Sequence, residues 1–221
     1  MSKKIFGAFY NVDVKQELDF SKIEAISVDL RKCAKIEMSV IHTDREMDQG
    51  FFLGGHAEHH NEPVIVCLNS ASGVNITVEQ PDTRAEGLMR VTLGLPIGKK
   101  LVGFRSEGNV IEYNLIDVNI DHVNVANKKG NITFKGKANN IGLYSRYYPV
   151  KAEVELTTRT LIQLGSRTAD VELKLVNASE VHIKNKPEDA EQCIVKTNLK
   201  EEGYAVDVYL DPQSDGKYTI C

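Results

Sequence analysis

The densest cluster of side chains able to do chemistry is Gly54-Gly55-His56-Ala57-Glu58-His59-His60, with His42 upstream. Three imidazoles and a carboxylate suit a borderline-soft ion such as zinc or nickel. His56 and His60, however, converge only if the segment is helical. Gly54-Gly55 before them and Asn61-Glu62-Pro63 after them point instead to a loop. The spacing matches no zinc signature. The segment is expected to be a solvated polar loop, with His56, His59 and His60 as the ligands of any weak metal site.

Other chemistries find less support. No G-x-S-x-G elbow is present, and Ser70-Ala71-Ser72-Gly73 has the composition of a turn between strands. Gly94 to Lys100 contains glycine and lysine without the spacing of a phosphate loop or the helix that must follow one. Glu153, Glu155, Arg159, Arg167, Asp170 and Glu172 fall close together, as an enzyme acting on acidic polysaccharides would need. Yet Glu153/Glu155 and Glu172/Lys174 alternate with apolar residues, the pattern of a solvated strand face. No cofactor is implied.

The turn Tyr144-Ser145-Arg146-Tyr147-Tyr148-Pro149 has the composition of a contact surface. Tyrosine rings add area at small entropic cost, and arginine anchors are enriched in interfaces. Tyr144, Arg146, Tyr147 and Tyr148 are therefore the candidate binding residues for a protein or glycan. The competing expectation is that one or two rings fold back over the neighbouring repeat. Asn75-Ile76-Thr77, Asn131-Ile132-Thr133 and Asn177-Ala178-Ser179 match the glycosylation pattern by chance, Asn131 being a turn residue before a strand.

These residues must be positioned by strands. The 221 residues carry 27 Lys/Arg against 31 Asp/Glu, a net charge of −4, and 42% are hydrophobic. That composition belongs to an ordinary globular chain, without the basic block of a nucleic-acid binder. No apolar run approaches the roughly 20 residues of a membrane-spanning helix. As written, the chain is expected to be soluble and cytoplasmic, and envelope association would require an anchor. Cys33, Cys67, Cys193 and Cys221 form no CxxC pair; Cys33 and Cys67 suit buried strand positions and Cys221 a frayed end.

Period-two alternation dominates. Ile26/Val28/Leu30 and Ile36/Met38/Val40 each share a face, and Phe51–Leu53, Val64–Leu68, Val74–Val78 and Met89–Leu95 follow. Only Pro81–Leu88 and Lys186–Cys193 could turn helically. Pro96 cannot donate to a ladder and marks a strand end. From Lys99 onward a self-similar unit of two short strands and a polar turn recurs. It runs from Leu101–Phe104 into Gly108–Tyr113, and then from Val123–Val125 into Gly130–Phe134, with Gly108 and Gly130 about 22 residues apart. Looser copies pair Ile141–Leu143 with Val150–Leu156, Leu161–Leu164 with Val171–Leu175, Val181–Ile183 with Cys193–Thr197, and Val206–Leu210 with Tyr218–Ile220. A unit this short cannot bury its own apolar face and must stack on its neighbours. Solenoid coils do this; a hairpin meander is the alternative.

Leu95-Pro96-Ile97-Gly98-Lys99-Lys100-Leu101, with the Gly108-Asn109-Val110 and Gly130-Asn131-Ile132 coils, resembles the bacterial "putative adhesin" β-solenoid family of unknown function. The resemblance covers Ile26 to Ile220; the later coils keep only Gly165-Ser166 as an echo of the family's Ser-Gly-Asp turn. It implies an all-β, single-stranded right-handed β-solenoid, with a less regular β section over 1–96 continuous with coils over 97–221. It also implies a non-enzymatic adhesin-like binding or scaffold role. Two alternatives are a carbohydrate-active enzyme on the acidic face and metal binding through the histidine loop. Tyr204–Leu210 and Tyr218–Ile220, as the last coil, are expected to leave an open end through which copies of the chain associate.

Overall fold

The structure, a computed structural model, describes residues 6–7, 12–14, 24–31, 36–43, 52–57, 64–70, 73–79, 89–96, 101–156, 159–176, 178–188, 190–192 and 204–221. These residues form strands and connecting turns, with no helix among them. The strands are β1 (Phe6–Gly7), β2 (Val12–Val14), β3 (Ala25–Leu30), β4 (Ile36–Thr43), β5 (Phe52–Ala57), β6 (Val64–Ser70), β7 (Gly73–Glu79), β8 (Met89–Pro96), β9 (Leu101–Gly108) and β10 (Glu112–Asn127). They continue with β11 (Asn131–Lys137), β12 (Asn140–Ser145), β13 (Val150–Glu155), β14 (Arg159–Ser166), β15 (Val171–Val176), β16 (Ala178–Lys184), β17 (Glu191–Gln192), β18 (Tyr204–Leu210) and β19 (Tyr218–Ile220).

Among β3, β4 and β7 to β19 every pairing is parallel, so the sheet curls over a single core and a hairpin meander is excluded there. Two ladders run side by side, joined by the long β10. Its first half pairs with β4 and β11, its second with β9 and β12. Near the end of the first half the register slips at Asp117, which takes a positive φ of 55°; pairing with β11 continues to Asn119 and pairing with β9 begins at Ile120. Each later strand alternates between the ladders: β12, β14 and β18 follow β10 in one, and β11, β13, β15 and β19 in the other. One strand from each ladder makes a rung.

The side-chain alternation of each strand is thereby converted into columns. In the first ladder Met38, Tyr113, Ile132, Val150, Val171 and Tyr218 stand in register and are all buried. In the second, the buried column runs through Val74, Ile26, Phe104, Val123, Ile141, Ile162 and Val208. Inward residues of successive rungs touch like residues above and below, and both columns belong to one continuous core.

A second buried column, at the strand ends of the second ladder, is polar. Asn127 and Ser145 face each other there, followed by Ser166. The Asn127 amide accepts the Val110 N–H at 2.9 Å and donates to the Val110 and Gly130 carbonyls at 2.7 and 3.0 Å. Ser145 Oγ donates to the Gly130 carbonyl at 2.9 Å, and Ser166 Oγ accepts from the Ala169 N–H at 3.2 Å. These side chains satisfy turn backbone that is shut off from water. Gly130 has a steric role, since a Cβ there would lie 1.9 Å from the Ile111 carbonyl oxygen.

Several expectations need correction. Gly108 lies opposite Asn127, not Gly130, because the backbone register sets Glu112 against Asn131; the Gly-to-Gly spacing is not the rung period. Gly54, Gly55 and His56 sit in β5, antiparallel to β8, and not in a loop; ladder hydrogen bonds override their weak strand preference. Around Pro187 the chain makes a turn closed by the Ala190 N–H on the Pro187 carbonyl at 3.1 Å, in place of a helix. Cys221 is not frayed: its N–H donates to Leu173 O and its carbonyl accepts from Leu175 N–H, both at 2.8 Å. Pro81–Leu88 and Cys193–Thr197 lie outside the described residues.

The largest correction concerns order. Strands β18 and β19 are not the terminal rung. β18 is seated between β14 and β16, and β19 between β15 and β17, so the last coil in sequence is next to last in the stack. Tyr204–Leu210 is therefore no open end. The same happens near the other end, where β3 and β4 pair with β9 and β10 on one side and with β7 and β8 on the other. Beyond them the direction reverses, β6 pairing antiparallel with β7 across a two-residue connection and β5 antiparallel with β8.

Tyr113 supplies a test of the core. Its hydroxyl is buried without a hydrogen bond, the Ser106 hydroxyl donating instead to the Val28 carbonyl, and burial pushes its pKa well above the ordinary phenol value. Tyr113→Phe removes an unsatisfied hydroxyl, and we expect stability to rise by about 1 kcal/mol or stay level in denaturant titration. The raised folded pKa contributes fully below the unfolded pKa of 10.0 and is lost as pH rises above it. The wild type should therefore lose more stability above that pH than Tyr113→Phe.

Candidate functional site

Outward side chains make three distinct surfaces. On the first ladder, β11, β13 and β15 place charged residues in register across rungs. Lys151 meets Glu172 at 3.0 Å, Lys174 meets Glu153 at 3.2 Å and Lys137 meets Glu155 at 2.6 Å. A hollow of about 330 Å³ beside the Asp117 bulge is lined by Lys135, Lys137, Glu153 and Glu155. Asp170, grouped with these glutamates by sequence, instead sits at the turn, where its carboxylate accepts the Lys217 N–H at 3.1 Å. The acidic face is thus an ion-pair ladder.

The second surface is the turn after β12. Ser145 and the Arg146 N–H, which donates to the Asn127 carbonyl at 3.0 Å, hold the turn against the rung below. The Arg146 carbonyl accepts from the Arg167 N–H of the rung above at 3.1 Å. On this fixed backbone Tyr144, Tyr147 and Tyr148 are 41%, 45% and 40% exposed. The Arg146 guanidinium lies 5.0 Å from the Tyr147 ring centroid, a cation–π contact. Tyr144 stands opposite Gly165, and a Cβ on Gly165 would come within 3.0 Å of the ring. That ring does fold over the neighbouring rung, while Tyr147 and Tyr148 remain outward. The sequence-selected residues Tyr144, Arg146, Tyr147 and Tyr148 are thus brought together at one corner.

The third surface, the outer face of the second ladder, includes Tyr144 at one end but otherwise none of the binding residues chosen from sequence. Two connected hollows of about 470 and 420 Å³ run along it and share Asn124, Gly142 and Gln163. Its residues come from separate strands, so no local motif announces them.

Of the histidine cluster, the backbone of His56 lies in β5 opposite Arg90, while His59 and His60 lie outside the described residues. Among the described residues, no group of three His, Cys, Asp or Glu is arranged to hold a metal ion. Likewise, no helix there is long and apolar enough to cross a membrane.

No family model and no curated protein matches the chain. Two solved structures are similar. A "putative cell adhesion protein" from Clostridium sporogenes is 8% identical with a TM-score of 0.49, over 92% of this chain and 95% of that one. A "putative adhesin" from Bacteroides fragilis is 10% identical with a TM-score of 0.39, over 90% and 93%. Likeness of this extent leaves function to the residues themselves.

The buried corner and the ion-pair ladder differ sharply in energetic weight. Asn127→Ala strips buried Val110 and Gly130 groups of partners and should cost about 3 kcal/mol. Glu153→Gln breaks an ion pair whose side chains are 36% and 63% exposed, and should cost below about 1 kcal/mol. Urea unfolding of the two variants measures both.

Proposed function

We propose that the chain is a right-handed single-stranded β-solenoid acting as a non-enzymatic, adhesin-like binding or scaffold module. The alternation of consecutive strands between two parallel ladders supports the coil, and parallel crossovers are overwhelmingly right-handed. On this reading 1–96 and 97–221 belong to one continuous stack, in keeping with the β3–β9 and β4–β10 pairings.

The observation that carries the binding role is the Tyr144–Tyr148 corner. Exposed tyrosines on a backbone bonded to the rungs on both sides give a preorganised contact surface, which loses little entropy when a protein or glycan docks. The carboxylates that a glycosidase reading would need are engaged instead: Glu153 with Lys174, Glu155 with Lys137, and Asp170 with the Lys217 backbone.

A printed array of glycans and extracellular-matrix proteins, probed with labelled protein, tests this. We expect retained binding that weakens at least tenfold in Tyr147→Ala/Tyr148→Ala with an unchanged thermal midpoint. Release of reducing sugar from an arrayed polysaccharide, abolished by Glu153→Gln or Asp170→Asn, would establish an enzyme instead.

A further inference from the structure

The outer face of the second ladder differs in kind from that of the first. On the first, Lys and Glu of adjacent rungs neutralise one another. On the second, neutral amides project: Asn75 from β7, Asn124 from β10, Asn140 from β12 and Gln163 from β14. None of these four side-chain amides is hydrogen-bonded to another described residue, so their donors and acceptors face the groove. Arg105 is the only side chain lining the larger hollow that is charged at neutral pH when histidine is neutral.

The floor of this groove contains Gly103 and Gly142, and neither is a glycine for backbone reasons. Neither lies in the left-handed region. An added Cβ would meet Ala25 Cβ at 3.5 Å in one case, and the Asn124 amide at 3.6 Å and the Val123 carbonyl oxygen at 3.8 Å in the other, all ordinary contacts. Gly130 is the contrast, since a Cβ there would strike backbone. Glycine inside a strand weakens it, and one that the fold does not require marks a place where something approaches the backbone closely. The two glycines lie on adjacent columns of the same face, Gly103 between Ala25 and His122, Gly142 between Asn124 and Gln163. Together they keep open a trough that crosses the strands.

We infer that this trough binds an extended neutral glycan lying along the stack axis, across the rungs from β7 to β18. Free amides that both donate and accept match hydroxyl groups, and a lining whose charged side chains are one cation, Arg105, and one carboxylate, Asp211, places no net demand for a charged ligand. At about 4.8 Å per rung the trough is roughly 30 Å long, enough for a chain of several sugars. At its far end Tyr209, held by Lys184 at 3.0 Å from its hydroxyl, and the Tyr144 ring border the second hollow and offer faces for sugar stacking. The inference rests on the binding-module reading and names its ligand class.

Native gels containing xyloglucan, galactomannan or mixed-linkage β-glucan, with alginate and polygalacturonate as acidic controls, test it. The intact protein should be retarded by at least one neutral polysaccharide. Gly103→Val/Gly142→Val fills the trough with residues that suit strands, so it should keep its thermal midpoint and lose retardation at least tenfold. Undiminished retardation of that variant, retardation by the acidic polymers alone, or none by any of the five overturns the inference. Tyr147→Ala/Tyr148→Ala separates the two readings. Loss there with retention in the glycine variant overturns the trough and leaves the corner standing; the reverse supports the trough.

Discussion

In-register parallel stacking governs this molecule. Each strand from β9 onward, apart from those of the terminal rung, bonds to a rung on either side, so a slip of one residue would turn every inward column to solvent. Apolar columns resist such a slip only through shape. Asn127 resists it through hydrogen-bond identity, because its amide fits the Val110 and Gly130 groups in one register. The buried polar corner thus does for the stack what a single buried asparagine does for a coiled coil: it specifies alignment.

Once the register is fixed, the outer faces follow from it. Residues two apart in sequence share a face, and residues in register form columns perpendicular to the strands. The first ladder gathers Lys151/Glu172 and Glu153/Lys174 into pairs that cancel locally. The second gathers amides around two glycines that the backbone does not need. The turn after β12 projects its tyrosines only because both neighbouring rungs hold its backbone. A scaffold of this kind offers long linear surfaces rather than enclosed pockets, which favours recognition of extended ligands.

Much of this was legible in the sequence where information is local. Period-two alternation located β3, β4 and β6 to β9, and Pro96 marked the end of β8, because burial on one face imposes that pattern residue by residue. The tyrosine corner was legible for the same reason, its residues being contiguous. What escaped was long-range. Nothing in Val206–Leu210 says that it enters between β14 and β16, since its apolar columns match either neighbour equally well. The reversal at β6–β7 and the short strands β1 and β2 likewise depend on partners distant in sequence. The amide trough was invisible because Asn75, Asn124, Asn140 and Gln163 meet only across rungs.

Rung order decides which residues share a column, and hydrogen–deuterium exchange resolved by peptide measures it directly. A strand bonded on both edges exchanges more slowly than one bonded on a single edge. With β18 seated between β14 and β16, amides of 204–210 should be protected about as strongly as those of 159–166, and 178–184 should exchange faster than both. Fast exchange over 204–210, with strong protection over 178–184, would contradict the order and with it the columns on which the proposed binding surfaces depend.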